Sequence, residues 1–122
     1  KILNRHRKAL NGSRVLVLGV AYKQDIDDYR ESPALRVIEE LEKTGASVTF
    51  YDPYISEYRY HGKSHKGEAA LSAGLLRNTD LVVVTTAHTN VDYDFVQRYA
   101  HAVFDTKNVM KAVAVRTNIE VL

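Results

Sequence analysis

The sequence predicts an α/β fold, a doubly wound parallel sheet with helices on both faces. Three observations point to it. Continuous apolar runs at residues 15–18 and 81–84 have the composition of strands buried on both faces. Stretches with apolar residues at helical spacing lie between the runs, as at Leu35, Ile38 and Leu41. Turn residues such as Asn11-Gly12, Gly45 and Asp52-Pro53 separate one kind of segment from the other. Strands alternating with helices build a parallel sheet covered on both sides.

Residues 1–10 carry Ile2, Leu3 and Leu10 among basic residues and read as the end of a helix arriving from an upstream domain. Asn11-Gly12-Ser13 stops it. Residues 14–20 form the first buried strand, followed by a polar loop of about ten residues. Ser32 then caps a helix with Pro33 at its first position, where the missing N–H costs nothing. Gly45 ends that helix, and residues 46–51 form a second strand closed by Asp52-Pro53. Residues 54–67 read as a surface excursion rich in Tyr, His, Gly and Lys. A short helix at 68–76, a third strand at 81–86, a helix from Tyr93 to Ala100 and a fourth strand at 102–105 complete the pattern. After Asn108 the pattern weakens.

Composition narrows the function classes. The 122 residues suit one domain, and 45% of them are hydrophobic, enough for a core. With 17 basic and 15 acidic residues, net charge gives no reason to expect nucleic acid or a membrane as partner. No apolar run approaches the roughly 20 residues of a membrane span, and no signal peptide is recognisable. The chain has no Cys, so no thiol nucleophile or thiolate metal site can lie in it, and a cytoplasmic setting fits. His61 and His65 have helical metal-pair spacing, but Gly62 and Gly67 argue against a helix and no third ligand is apparent, so no metal is expected.

In a doubly wound sheet, ligands bind beyond the C-terminal strand ends where strand order reverses. Those ends are residues 19–23, 52–53, 85–88 and 105–107. The first is a poor dinucleotide fingerprint, because Gly19 stands alone where G-x-G-x-x-G needs three glycines. Asp52 stands either where a ribose-binding acid would be, or simply at a turn. In the polar loop, Lys23 can meet a phosphate as a point charge and Arg30 as a planar fork. The next helix N-terminus would add free N–H donors. Alternatively, Arg30 pairs with Asp27 or Asp28 and only stiffens the loop. His88 is open to two readings, ligand contact or cap of the following turn.

The stretch Gly19-Val20-Ala21-Tyr22-Lys23, with Asp27-Asp28-Tyr29-Arg30-Glu31-Ser32-Pro33-Ala34 and then Tyr51-Asp52-Pro53-Tyr54, resembles the C-terminal domain of the UDP-glucose/GDP-mannose dehydrogenase family. Thr85-Thr86-Ala87-His88, Asp92-Tyr93-Asp94 and Phe104-Asp105-Thr106-Lys107-Asn108 follow in the order that family would show. The wording is closest to the branch acting on UDP-N-acetylhexosamines. The resemblance implies a Rossmann-like domain, residues 11–122, supplying the UDP side of a cleft in an NAD-dependent enzyme that oxidises the C6 alcohol of a UDP-sugar to a uronic acid. It implies that NAD and the catalytic residues, Cys included, belong to domains outside this chain, and that the parent is a homodimer. Tyr22 and Lys23 match positions contacting the UDP-sugar, and Arg30 a position reaching toward NAD. Lys107 stands where the family usually has a substrate-contacting Arg. The alternative is a stand-alone nucleotide-binding or regulatory module of the same fold without catalysis.

Overall fold

The structure, a computed structural model, describes residues 11–122; the upstream helix end read at residues 1–10 lies outside the described residues. Among the described residues ten elements follow in order: β1 (Arg14–Leu18), α1 (Pro33–Lys43), β2 (Ser47–Tyr51), β3 (Glu57–Tyr60), β4 (Lys63–Lys66), α2 (Ala73–Arg77), β5 (Leu81–Val84), α3 (Tyr93–Tyr99), β6 (Val103–Asp105) and β7 (Ile119–Val121). The main sheet has five strands in the order β2-β1-β5-β6-β7, and all its pairings are parallel.

The central strands are apolar at residues 15–18 and 81–84 because both faces are covered there. On one face Leu16, Leu18, Val82, Val84 and Val103 pack against Leu76 of α2 and Val96 of α3. On the other, Val17 meets Ala34, Leu35 and Ile38 of α1, and Val15, Leu81, Val83 and Phe104 form an adjoining cluster. The expected helix start holds: Ser32 is the N-cap, its Oγ accepts from the Ala34 N–H at 3.3 Å, and Pro33 opens the helix. Asp92 caps α3 in the same way, accepting from Phe95 N–H at 3.1 Å.

The structure adds detail to three readings. The excursion at 54–67 is an ordered antiparallel hairpin, β3–β4, closed by a two-residue turn in which His61 (φ 50°) and Gly62 (φ 75°) both take positive φ, the geometry that matches strand twist. Tyr58 anchors it, its ring 5.2 Å from Phe50 and 5.8 Å from Tyr29. The helix expected at 68–76 is confined to Ala73–Arg77, because Glu68 is engaged with β2: its N–H donates to Phe50 O and its carboxylate accepts from Thr49 Oγ1. Beyond Asn108 the chain adds the parallel edge strand β7, three half-buried residues too short for a recognisable period.

Candidate functional site

Strand order reverses between β1 and β5: from β1 the chain crosses to β2 on one side, and β5 pairs on the other. The strand ends come unusually close there. Gly19 has φ 94°, and a Cβ built on it would fall 2.5 Å from Thr86 Cβ and 2.9 Å from the Thr86 backbone N and O. Only glycine permits this approach. Hydroxyls tie the two ends together, Thr85 Oγ1 donating to the Gly19 carbonyl and Thr86 Oγ1 to the Ala21 carbonyl, the latter at 2.9 Å.

A cavity of ≈ 120 Å³ opens at this point, lined among others by Tyr22, Lys23, Pro33, Thr85, Thr86 and Lys107. Three of the residues singled out in the sequence thus meet at one cavity, although Lys107 lies 84 positions from Lys23 (107 − 23). Tyr22 is 52% exposed, so its ring is open to a ligand. A second cleft is lined by Tyr22, Asp28, Arg30 and Glu31. An apolar groove of ≈ 300 Å³ adjoins the cavity at Pro33, Thr85 and Lys107.

The loop that presents Tyr22 and Lys23 is fixed at both ends by hydrogen bonds. Asp52 Oδ2 accepts from the N–H groups of Val20 and Ala21 at 2.8 and 3.2 Å, and Asp52 Oδ1 accepts from Tyr54 N–H at 2.8 Å. His88 Nε2 is 2.9 Å from Asp52 Oδ2, and Asp25 N–H donates to His88 Nδ1 at 2.7 Å. Tyr22 N–H donates to Asp28 O at 2.7 Å, and Ser32 Oγ donates to Ala21 O at 3.3 Å. The Asp25 carboxylate accepts from Thr89 N–H and Oγ1, and chiefly the Thr89 N–H holds it below the usual carboxylate range. Tyr93, its phenol pushed upward by burial, donates to the His88 carbonyl at 2.7 Å.

This arrangement decides several open readings. Asp52 is no ribose-binding acid: its side chain is fully buried and both oxygens face inward to the loop amides. His88 is no ligand contact, since its side chain is 1% exposed beneath the loop. Arg30 is held by Asp28, with Nε and Nη2 each 3.0 Å from a carboxylate oxygen; Arg30 in turn lowers the Asp28 carboxyl. The N-terminus of α1 adds less than expected. Pro33 has no N–H, and those of Ala34 and Leu35 are taken by Ser32. What remains at the cavity is the positive end of the helix dipole, with no acid in the first turn, and two ammonium groups. Neither Lys23 nor Lys107 has a side-chain partner among the described residues.

The turn carrying Lys107 is rigid for a similar reason. The fully buried Asp105 accepts from the N–H groups of Lys107, Val109 and Met110, and Thr106 Oγ1 donates to Val84 O at 2.6 Å. The sequence pattern placed Thr85 and Thr86 at a strand end where a ligand would bind but gave them no individual role, and it did not reveal the inward turn of Asp52. A hydroxyl pair following a buried strand was the available signal. No group of His and acidic residues among the described residues is placed to hold a metal, and no described helix is long and apolar enough to cross a membrane.

Fold and site together define a Rossmann-like domain that presents cationic side chains at the switch point of its sheet. Residues 16–112 match the model of the UDP-glucose/GDP-mannose dehydrogenase family, UDP binding domain, and the chain belongs to that family. It is 39% identical over 84 residues to a UDP-glucose 6-dehydrogenase of Haloferax volcanii, covering 69% of this chain and 20% of that protein. It is 33% identical over 105 residues to a UDP-N-acetyl-D-mannosamine dehydrogenase of Methanocaldococcus jannaschii, covering 80% and 23%. The solved NDP-N-acetyl-D-galactosaminuronic acid dehydrogenase of Methanosarcina mazei superposes with a TM-score of 0.74 at 27% identity, covering 98% of this chain and 26% of that one. The chain thus spans about a fifth to a quarter of the proteins it matches.

Proposed function

We propose that this chain is the nucleotide-sugar-binding C-terminal domain, residues 11–122, of a cytoplasmic NAD-dependent UDP-sugar 6-dehydrogenase acting on UDP-glucose or a UDP-N-acetylhexosamine. Residues 1–10 would lead in from the upstream domain. The carrying observation is the meeting of Lys23 and Lys107, both without side-chain partners among the described residues, at the switch-point cavity. At a cavity lined by two lysines and the N-terminal end of α1, a diphosphate is favoured by charge, and the exposed ring of Tyr22 offers a flat apolar face beside it. The proteins matched are dehydrogenases of UDP-glucose and UDP-N-acetyl-D-mannosamine, which supports the substrate class.

NAD does not fit this domain as a Rossmann fingerprint would hold it. Gly19 lacks its companion glycines, and Asp52 is committed inward. The cofactor, which would accept the hydride from C6, therefore belongs to another domain. Arg30 meets it at the domain boundary through the guanidinium edge that Asp28 leaves open. The chemistry belongs elsewhere in the parent, a homodimer on this reading, and this domain binds and orients the UDP end of the substrate.

The test is a chemical-shift titration of the chain with UDP and then with NAD. Shifts at Tyr22, Lys23 and Lys107 with UDP are expected, with a dissociation constant near millimolar, about 4 kcal/mol, because a shared cleft offers only part of its contacts here. Saturating NAD shifts centred on Gly19 and Asp52 would overturn the proposal.

A further inference from the structure

We infer that His88, held as the neutral Nε2–H tautomer, is the positioning residue that sets the Lys23 loop for diphosphate binding. The inference rests on the proposed function. A backbone N–H can only donate, so the Asp25 amide at 2.7 Å requires a lone pair on Nδ1. The single proton of the neutral ring then sits on Nε2, where Asp52 Oδ2 accepts it at 2.9 Å. The side chain is 1% exposed, so water does not replace either partner.

The consequence lies in the loop. Asp52 Oδ2 grips its beginning through the amides of Val20 and Ala21. His88, bonded to that same oxygen, grips its end through the amide of Asp25, a residue with φ 63°. Tyr22, Lys23 and Gln24 span the interval, and all three line the cavity. Through Nδ1 on the Asp25 amide, the imidazole therefore fixes the far end of the ligand-bearing segment, while Asp52 holds the near end through Val20 and Ala21 without its help. Its own position is set by the Tyr54 ring, 4.9 Å away, and by the Tyr93 hydroxyl on its carbonyl. The Asp25 carboxylate lies 3.8 Å from Nδ1, beyond hydrogen-bond reach, and is turned to Thr89. The amide, not the carboxylate, is the loop's attachment to His88.

Two substitutions separate the two ring nitrogens. Asparagine places its amide oxygen at the level of Nδ1, so His88→Asn keeps an acceptor for the Asp25 amide and loses Asp52. Glutamine reaches the level of Nε2, so His88→Gln keeps the donor to Asp52 and loses the grip on Asp25. In the 122-residue chain, ligand-free amide exchange at Asp25 and affinity for UDP are measured for both, with melting temperatures alongside. H88Q is expected to speed exchange at Asp25 and weaken UDP about tenfold, the value of one hydrogen bond. H88N is expected to keep Asp25 protected and UDP within about threefold, although both variants melt earlier. Nitrogen NMR of the unsubstituted chain should show a pyridine-type Nδ1 and a pyrrole-type Nε2, a readout independent of any variant's folding. The opposite tautomer, or affinity losses that simply follow melting temperature in both variants, would overturn the inference. Absence of UDP binding by the unsubstituted chain would instead count against the proposed function, leaving tautomer and ligand-free exchange to decide the role of His88.

Discussion

Replacing Gly19 with alanine tests the close approach of β1 and β5 on which the cavity is built. Two costs apply. At φ 94° a residue with a side chain is strained by about 1–2 kcal/mol. The new methyl also falls 2.5 Å from Thr86 Cβ and 2.9 Å from Thr86 backbone atoms, so the central strands must part, at a cost of about 1–3 kcal/mol. The sum is roughly 2–5 kcal/mol. Gly62, at the hairpin tip, is the control: its φ is 75°, but an added Cβ meets nothing within 4 Å among the described residues. G62A should therefore lose only the conformational part, about 1–2 kcal/mol. Urea unfolding of both variants reads the difference directly. G19A should also weaken UDP, since displacing Thr86 removes its hydroxyl's bond to the Ala21 carbonyl, next to Tyr22 at the cavity. Equal losses for the two variants would refute the reasoning, because strain at positive φ would then account for everything.

Other perturbations separate binding from folding. Lys23→Ala and Lys107→Ala should each weaken UDP about tenfold while leaving urea stability within about 0.5 kcal/mol, since neither side chain bonds to another described residue. Lys107→Arg should tighten UDP, because a planar fork engages a phosphate through two bonds; a titration series checks all three. Tyr58→Phe should be neutral or slightly stabilising, because the buried hydroxyl has no partner among the described residues, whereas Tyr58→Ala should lose about 3–5 kcal/mol of packing in thermal unfolding. Asp25, held below the usual carboxylate range first by the Thr89 amide, contributes stability that is present above the ordinary carboxylate value and lost as pH falls through the folded one. Carboxyl-carbon NMR should show that low titration, and Thr89→Val, which removes the hydroxyl bond alone, should raise it.

Much of the frame was legible along the chain because it depends on neighbours in sequence. Val15–Leu18 and Leu81–Val84 are apolar at every position since both sheet faces are covered, and that leaves a local signature. Ser32-Pro33 announces the start of α1 because capping and a fixed φ act within one turn. The motif order, from Gly19-Val20-Ala21-Tyr22-Lys23 through Asp105-Thr106-Lys107-Asn108, carried the family. The hairpin turn was also written locally, in His61-Gly62, but its strands are short and carry polar residues, and only the packing of Tyr58 on Phe50 and Tyr29 shows why they pair.

What tertiary structure decided is the use of the polar residues. Asp52 and His88 each stood at a strand end where a ligand contact was a fair reading, and both turned inward. That choice depends on which donors surround them, and the donors of Asp52 come from Val20, Ala21, Tyr54 and His88. A buried carboxylate is tolerable only with its oxygens satisfied, and satisfaction by residues up to 36 positions away leaves no pattern in the chain. The meeting of Lys23 with Lys107 has the same origin. Sequence placed each at the end of a strand, and only the strand order β2-β1-β5-β6 brings those ends to one cavity.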